Sequence, residues 1–370
     1  MMKIGELFSA GFAMRPGIFC VAACFAGVIA AAAMAQDAPR AADESMRGRG
    51  TDASGVRLVT EETDAAIDEG LRWLADQQHE DGSFWSGSQY RHEVAVTALA
   101  GMAFISDGHL PNKGRYGAEV ARAVDFILAS ARPDGLIHNP DSASYGPMYG
   151  HGFSTLFLAE VYGTTPRKEI RRVLENAVKL IVVSQNDEGG WRYEPDSRDA
   201  DISVTVCQVM ALRAARNAGL AVPTETIDRA IAYVTKCQNS DGGFMYRLTR
   251  RGTSLFPRSA AGVVALQSAG IYEGPEIEKG LAYLMRHLPR PRIIPYQSNY
   301  YYGHYYAVQA MWQAGGEMWL RWYPAIRDEL LDQQQTNGSW LDRSVCDEYG
   351  TAMALIILQI PNNYLPIFQR

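Results

Sequence analysis

The chain has 370 residues, of which 47% are hydrophobic, and its 41 acidic residues outnumber its 35 basic ones to give a formal net charge of −6. An acidic chain of this kind does not offer the extended positive surface that nucleic acids bind, so we expect no nucleic-acid partner. Cysteines beyond the first 35 residues are few and lack CxxC spacing, which predicts buried free thiols, with one disulfide as the alternative: Cys207, Cys237 and Cys346.

The first 35 residues have the pattern of a secretory signal peptide. Lys3 and Arg15 supply a basic start, residues 17–32 are apolar, and Ala33-Met34-Ala35 is a small-x-small cleavage site. We therefore expect export through a Sec-type signal, to the periplasm or the medium. A retained membrane anchor is the alternative, because the apolar stretch is near the minimum length of a span.

Residues 36–58 are rich in alanine, glycine and charge, and we expect a flexible linker there. Residues 59–370 contain a repeated turn: a glutamine, two or three polar residues, a glycine, one further residue and an aromatic residue. Four clear copies are present: Gln78–Phe84, Gln185–Trp191, Gln238–Phe244 and Gln335–Trp340. With a degenerate copy at Arg132–Leu136 and the segment Leu281–Pro295 in the remaining gap, they predict six units of about 53 residues.

Each unit is predicted to contain two helices. The stretches before the turns are amphipathic, with apolar residues three to four apart, as at 63–78, 223–238 and 276–287. The stretches after the turns are apolar on nearly every side, which is typical of buried helices: 94–105, 153–162, 203–215, 259–269, 305–313 and 349–358. The alternating pattern of strands is absent from the sequence.

We therefore expect an all-α fold, an α6/α6 toroid in which six inner helices form a barrel inside six outer ones. Paired helices of this length also stack into open solenoids, but inner helices this apolar favour closure. The turn itself is predicted to be structural. Its glutamine can bond free backbone groups at the end of the outer helix, its glycine permits a sharp reversal, and its aromatic residue wedges between units.

This turn resembles the repeat of the squalene-hopene and oxidosqualene cyclases and, more loosely, that of protein prenyltransferase β subunits. The resemblance covers about residues 60–360, and residues 279–284 resemble the fuller form of the first half of the repeat. It implies an α/α toroid and an apolar isoprenoid ligand. The cyclases place their cavity between two such barrels, whereas this chain has the length for one.

The resemblance also implies a general acid. Triterpene cyclases protonate an alkene with an aspartic acid in a motif of the type Asp-x-Asp-Asp-Thr-Ala, and this chain has Asp199-Ala200-Asp201-Ile202-Ser203 after the third turn. Asp201 matches the proton donor, and Asp199 matches the first aspartate, which would tune it. Ile202 replaces the last aspartate. Such an acid must be kept neutral yet strongly acidic by burial and by hydrogen bonds.

We expect no metal and no cofactor. Prenyltransferase β subunits hold zinc with an Asp, a Cys and a His, but here the matching segment reads Tyr302-Gly303-His304-Tyr305 and Gly350 stands at the place of the histidine. The Cys-Gly-Glu-Gln thioester of complement-type toroids is also absent from the sequence.

Polar residues are predicted to gather where the inner helices begin. Glu93, His151, Asp201 and Asp347 each precede a threonine by four residues and so share a helix face with it. Tyr302 and Tyr306 take the two places in the fifth unit. Because all inner helices begin at the same end of a barrel, we expect these residues to converge on one mouth. Capping of helix N-termini is the alternative reading.

The predicted ligand-binding set contains seven residues: Glu93, His151, Trp191, Tyr302, His304, Tyr306 and Asp347. Aromatic side chains nearby could stabilise a cation or pack against a lipid or sugar: Tyr145, Tyr149, Tyr300, Tyr301, Tyr305, Tyr306 and Trp312. As an alternative, these tyrosines belong to turns and core.

Three functions remain open on the sequence alone. The first is a terpene-cyclase-like protein with Asp201 as general acid and an isoprenoid ligand. The second is a non-catalytic binding or scaffold module outside the cytoplasm. The third is an exported carbohydrate-active enzyme that uses paired acids such as Asp201 and Asp347. Contact with a membrane surface and the oligomeric state are also left open.

Overall fold

A computed structural model describes residues 58–87, 89–142, 146–290 and 299–369. The predicted signal peptide, the linker up to residue 57 and Tyr145 lie outside the described residues. Within them the chain is all α-helical, without a named strand, and forms twelve α-helices: α1 Glu61–Asp76, α2 Val94–Ser106, α3 Gly117–Ala129, α4 Met148–Val161, α5 Lys168–Val183, α6 Ile202–Asn217, α7 Thr224–Lys236, α8 Phe256–Ser268, α9 Pro275–Met285, α10 Tyr300–Ala314, α11 Gly316–Gln333 and α12 Asp347–Gln359.

The even-numbered helices form a closed inner ring. They pack side by side in chain order, and α12 returns to pack against α2. The odd-numbered helices lie outside this ring, each packed against the inner helix before it. The inner helices are buried on nearly every side, whereas the outer helices bury one face. The α6/α6 toroid is therefore confirmed, and the open solenoid is excluded by the contact between α12 and α2.

Glutamines in four of the turns join their unit to the next one along the ring. The Nε2 of Gln185 donates to the carbonyl of Gly189 in its own turn and to the carbonyl of Thr226 in α7, both at 2.8 Å. Gln78 and Gln238 repeat this pair of hydrogen bonds with α3 and α9. In the last turn the residue is Gln334, not Gln335 as the pattern predicted, and it reaches Ala66 of α1. The sixth unit is thus bonded to the first.

The turn glycines allow backbones of neighbouring units to touch. Five of them have φ between 88° and 94°, a region that side chains disfavour. A Cβ on any of the five would stand 2.3–2.6 Å from a backbone oxygen in the next outer helix: Gly82, Gly135, Gly189, Gly242 and Gly338. The contact of Gly338 is with Glu69 of α1, so it too joins the ends of the ring.

Replacing Gly242 by alanine is expected to destabilise the fold through this contact. A Cβ there would lie 2.3 Å from the Lys279 oxygen, whereas one at Gly270, which also has positive φ, would meet nothing within 4 Å. Gly270→Ala therefore serves as a control for the backbone strain alone, about 1–2 kcal/mol. We expect Gly242→Ala to lower the free energy of unfolding, measured by denaturant titration, by at least about 1 kcal/mol more than the control. Equal losses would show that the close approach is not needed.

In four of the turns, a backbone hydrogen bond also joins the turn to the inner helix that follows it. The backbone N–H of Trp191 donates to the Thr205 hydroxyl of α6 at 3.1 Å, and the N–H of Trp340 donates to Thr351 of α12 at 3.0 Å. Phe84 and Phe244 are held in the same way. These aromatic residues are almost completely buried, which supports a structural role for the turn.

The end of the barrel opposite the turns is closed by the C-terminal segment. Trp312 of α10 donates from Nε1 to the Phe368 carbonyl at 3.1 Å, and Arg213 of α6 donates to the Gln369 carbonyl at 2.5 Å. Burial raises the pKa of Glu160, on α4 beside this segment, to about 8. The three cysteines of the described residues are buried and free.

Candidate functional site

A cavity of about 1060 Å³ lies at the end of the barrel where the inner helices begin. All six inner helices contribute to its wall, because each brings its first turns to the same end of the barrel. This confirms that the N-termini converge on one mouth. Nine aromatic side chains line it, which gives a largely apolar surface: Tyr90, Tyr149, Phe153, Tyr193, Tyr246, Phe256, Tyr283, Tyr302 and Tyr349.

The barrel below the cavity is filled. Tyr305 and Tyr306 of α10 are fully buried, and Tyr305 packs edge-on against Phe153 with ring centroids 6.2 Å apart. The hydroxyl of Tyr306 lies 3.3 Å from the Cys207 sulfur. Burial raises the pKa of this thiol to about 12, so Cys207 is a neutral packing group. The barrel axis below the mouth is therefore occupied by side chains.

Asp201 caps the N-terminus of α6 and has no exposed surface. Its Oδ1 accepts hydrogen bonds from the N–H groups of Ser203 and Val204, both at 2.9 Å. Its Oδ2 is buried without a hydrogen bond of ordinary geometry among the described residues, although the Tyr246 hydroxyl is near enough to stabilise the charged form. Ser203 and Tyr246 line the cavity, so the carboxyl lies directly behind its wall.

Burial sets the protonation of Asp201. Loss of solvent raises its pKa to about 6, against the opposing effects of the two N–H groups, the Tyr246 hydroxyl and the positive charge of Arg192. The pKa of this carboxyl thus lies well above that of an ordinary aspartic acid, so its protonated form is favoured by the site. Asp201 can both cap α6 and act as an acid, because Oδ1 accepts the helix N–H groups and Oδ2 remains for the proton.

Asp199 is part of an ion-pair cluster beside this carboxyl. Its Oδ2 accepts from Arg192 and lies 3.3 Å from Nη1 of Arg247. Asp199 does not line the cavity. The positive charge of its partner Arg192 favours the ionised form of Asp201.

Glu93 is the carboxylate that lines the cavity from the other side. It caps α2, where Oε1 accepts from the Ala95 N–H at 3.3 Å. Its Oε2 accepts from the Ser142 hydroxyl at 2.8 Å. Tyr302 of α10 also lines the cavity, and its hydroxyl donates to the Ser203 carbonyl of α6 at 3.2 Å.

His151 does not line the cavity, and its predicted register is wrong by one helical turn. Its Nδ1 accepts a hydrogen bond from the Ile137 N–H of the turn at 3.1 Å. In their units Thr97 and Thr205 accept the corresponding turn N–H, so His151 stands at the position of these threonines. Since Nδ1 accepts, Nε2 carries the proton and donates to the Ala177 carbonyl at 3.3 Å. Full burial lowers its pKa to about 4, so the ring stays neutral and structural.

The other four predicted ligand-binding residues also lie outside the cavity wall. Trp191 is buried in its turn and bonds the Ile181 carbonyl, and Tyr306 fills the barrel axis. His304 is buried among aromatic rings, which lowers its pKa to about 3. Asp347 is half-buried, and its Oδ1 accepts from the Asp342 N–H at 3.1 Å. The structure thus brings Glu93 and Tyr302 to the cavity, with Asp201 behind it.

Comparison with known proteins decides the family. The prenyltransferase alpha-alpha toroid domain matches residues 53–252 and 220–364, which together span most of the sequence. The chain belongs to this family.

Individual relatives in and around this toroid family differ in activity. The chain is 27% identical over 188 residues to a drimenyl diphosphate synthase of Streptomyces showdoensis, which is 50% of this chain and 33% of that protein. The chain therefore spans only part of this curated relative. The type II terpene cyclase MstE from Scytonema superposes with a TM-score of 0.58 at 15% identity, over 83% of this chain and 100% of that one.

The same fold carries unrelated chemistry elsewhere. A GH76 alpha-mannanase from Bacteroides thetaiotaomicron gives a TM-score of 0.61 at 10% identity, over 82% of this chain and 96% of the mannanase. Likeness at this level shows the fold alone. The toroid is therefore established, and the chemistry has to be argued from the cavity.

Sequence reasoning missed Tyr193 and Tyr246 as cavity residues. Their hydroxyls lie 2.5 Å apart, and both side chains line the mouth. A signal was available, because each follows the aromatic residue of its turn by two positions, after Trp191 and Phe244. In these two turns that position points toward the barrel mouth. Arg258 of α8 also lines the cavity and was not predicted.

No three His, Cys, Asp or Glu side chains in the described part lie close enough to hold a metal ion. No described helix is both long enough and apolar enough to cross a membrane.

Proposed function

We propose that this toroid binds an apolar isoprenoid in the mouth cavity and cyclises it by protonating an alkene from Asp201. One observation carries the proposal: a carboxyl with a pKa of about 6 is buried directly behind the wall of a cavity of about 1060 Å³ lined by aromatic residues. A wet, open groove would instead hold this acid ionised.

The chemistry needs one acid and an apolar, aromatic surface. The protonated Asp201 carboxyl transfers its proton to an alkene carbon, and the other alkene carbon becomes a cation. Attack by a second alkene of the same chain closes a ring, and loss of a proton from a neighbouring carbon restores neutrality. Tyrosine and phenylalanine faces stabilise the travelling cation through their quadrupoles. Tyr246 stands between Asp201 and the cavity, so the alkene reaches Oδ2 when this side chain turns aside.

Two relatives support the substrate class. One of the superposed structures of MstE is in complex with geranylgeranyl dihydroxybenzoate, described as its substrate. The relative of 27% identity is named for drimenyl diphosphate. Both names describe an isoprenoid or a product derived from one, and an apolar cavity suits such a chain.

The arrangement of acids argues against sugar hydrolysis. Glycosidases place two carboxyl groups on either side of the scissile bond. Here Asp347, the proposed partner of Asp201, is bonded to the backbone of Asp342 and does not line the cavity. Glu93 is the single carboxylate of the described cavity wall.

The pH dependence of turnover tests the proposal. Asp201 must be protonated to act, so kcat/KM with a polyprenyl substrate is expected to fall as pH rises through about 6. Replacing Tyr246 by phenylalanine removes a nearby hydroxyl that stabilises the ionised carboxyl, so the pKa of Asp201 rises further. We expect the falling limb to shift upward by about one pH unit.

Tyr193→Phe is the matched control for this shift. Its hydroxyl bonds that of Tyr246 and is not among the groups that set the pKa of Asp201. The limb should move much less in this variant. A pH profile that is flat between pH 5 and 8, or a limb unmoved in Tyr246→Phe, would remove Asp201 from the mechanism.

Export is part of the same proposal. A mature chain that begins at Gln36 in the periplasm or medium would support it, as read by N-terminal sequencing of the protein recovered from each fraction. An unprocessed chain in the cytoplasm would contradict it.

A further inference from the structure

Each inner helix carries a buried polar side chain near its C-terminal end, at the end of the barrel opposite the mouth: Ser106, Glu160, Arg213, Gln267, Gln313 and Gln359. The chemistry proposed for the mouth uses none of them. Four of their atoms are buried without a hydrogen-bond partner among the described residues: Glu160 Oε2, Arg213 Nε, Gln267 Oε1 and Gln359 Oε1. Such atoms raise the free energy of the folded state, so each needs a reason.

The C-terminal segment, residues 360–369, covers this end of the barrel and is held through its backbone. The Phe368 carbonyl accepts from Nε1 of Trp312 at 3.1 Å. The Gln369 carbonyl accepts from Nη2 of Arg213 at 2.5 Å. The Phe368 side chain is buried as well. The end of the segment is therefore docked by few hydrogen bonds, and Arg213 makes one of them.

Glu160 of α4 and Arg213 of α6 form an incomplete pair beside this segment. The Oε2 of Glu160 is an acceptor and the Nε of Arg213 is a donor, and neither has a partner in the described part of the chain. The guanidinium uses its other N–H groups instead. Its Nη1 donates to the Gln267 carbonyl at 3.0 Å and to the Tyr272 hydroxyl at 2.5 Å, and its Nη2 donates to the Gln369 carbonyl.

Burial keeps the Glu160 carboxyl neutral at neutral pH. Loss of solvent raises its pKa to about 8, against the opposing effects of the Ile367 N–H and the positive charge of Arg213. The titratable groups that face it are Arg213 from α6 and Tyr305 from α10, and none from α2 or α5 acts on it. An exposed glutamic acid has a pKa near 4.3. The docked form thus binds the proton more tightly, so docking weakens as pH rises and stops weakening above about pH 8.

Ionisation of Glu160 would change the best partner of Arg213. A guanidinium binds a carboxylate more strongly than it binds a neutral carbonyl. The ionised carboxyl therefore competes with the Gln369 carbonyl for the same side chain. A buried charge pair also needs its remaining polar atoms hydrogen-bonded, and water reaches them only if the covering segment moves away.

We propose that Glu160 and Arg213 form a pH-dependent switch that docks the C-terminal segment over the lower end of the barrel. With the carboxyl neutral, Arg213 binds the Gln369 carbonyl and the segment is docked. When the carboxyl loses its proton to solvent, Arg213 pairs with the carboxylate, water enters, and the end of the segment is released. The switch does not depend on the chemistry proposed for the mouth.

Hydrogen–deuterium exchange tests the switch. Exchange in peptides from residues 360–369 would be measured by mass spectrometry on the full chain from about pH 6 to about pH 9, and corrected for the intrinsic pH dependence of amide exchange. We expect the protection of this segment to fall at least about tenfold between pH 6 and pH 8, and to level off above about pH 8. In Glu160→Gln, which stays neutral, protection should remain high throughout.

Glu329→Gln is the matched control. Glu329 of α11 is also a buried carboxyl with a raised pKa, but it accepts from the Tyr300 hydroxyl at 2.6 Å. This variant should keep the transition of the full chain. Protection that does not change with pH in the full chain, or that falls equally in Glu160→Gln, would overturn the switch. An equal loss of protection in α6 and α12 would show general unfolding and would contradict it too.

Discussion

Replacing Asp201 by asparagine is expected to lower the rate of cyclisation by about 10²–10⁴-fold, the usual contribution of a general acid. The amide keeps an oxygen that can accept the Ser203 and Val204 N–H groups, so the cap of α6 is preserved. It has no proton acidic enough for an alkene. Turnover of a polyprenyl substrate and fluorescence-detected binding would be measured side by side. The rate should fall while the affinity stays within about threefold.

Asp347→Asn is the matched control for this variant. Asp347 stands at the start of α12 as Asp201 stands at the start of α6, but it bonds the turn backbone and does not line the cavity. Its amide variant should retain full turnover. If both variants lose activity equally, the loss comes from the helix ends and not from acid chemistry. If Asp201→Asn keeps its turnover, Asp201 is a cap only.

Replacing Trp340 by alanine is expected to lower the free energy of unfolding by about 3–5 kcal/mol, the usual cost of removing a buried aromatic side chain. Trp340 is fully buried, and its Nε1 donates to the Leu330 carbonyl of α11 at 2.8 Å. It also packs against Gly70 of α1, where a Cβ would lie 2.7 Å from its ring. The side chain therefore joins the sixth unit to the first, and its removal weakens the closure of the ring.

Trp340→Phe separates the hydrogen bond from the packing. The smaller ring keeps most of the apolar contact and loses the Nε1 donor, so we expect a loss of about 1–2 kcal/mol. Denaturant titration followed by far-ultraviolet circular dichroism measures both variants. A loss below 1 kcal/mol in Trp340→Ala would contradict the role of the turn aromatics in closing the toroid.

The fold could be predicted because the residues that determine it lie close together in the sequence and recur from unit to unit. The turn from Gln185 to Trp191 contains a donor for the next unit, a glycine at a backbone contact and a buried ring, and each function is visible in the residue type. Six helix pairs joined largely by this turn can be arranged in few ways other than an open solenoid or a closed ring. The helix ends were less well predicted. α4 begins at Met148, five residues before the predicted start, because Gly150, His151 and Gly152 do not look apolar.

Those residues nevertheless belong to the inner ring for packing reasons. A Cβ at Gly150 would lie 2.5 Å from Val94 of α2, and one at Gly152 would lie 2.9 Å from Cys207 of α6. These glycines let α4 pack closely against α2 and α6. The sequence of one unit alone does not show that such close packing is needed. The same interruption moved His151 into the wrong register.

The candidate site was predicted only where the helix ends determine it. Glu93 and Asp201 are caps of inner helices, so their convergence follows from the closed ring. Tyr246 comes from the turn that follows Asp201 by about one unit, and its approach to the carboxyl depends on how the fourth unit packs on the third. This packing joins residues that are far apart in the sequence, so it cannot be deduced from either segment alone.

The most direct test of the account is the origin of the proton in the product. The protein would be incubated in deuterium oxide with a polyprenyl substrate, and the products would be analysed by mass spectrometry. Because the Asp201 proton exchanges with solvent, the account predicts a cyclised product that carries one deuterium per molecule and is absent with Asp201→Asn. A cyclised product without solvent deuterium, or one formed equally by the variant, would contradict proton transfer from Asp201.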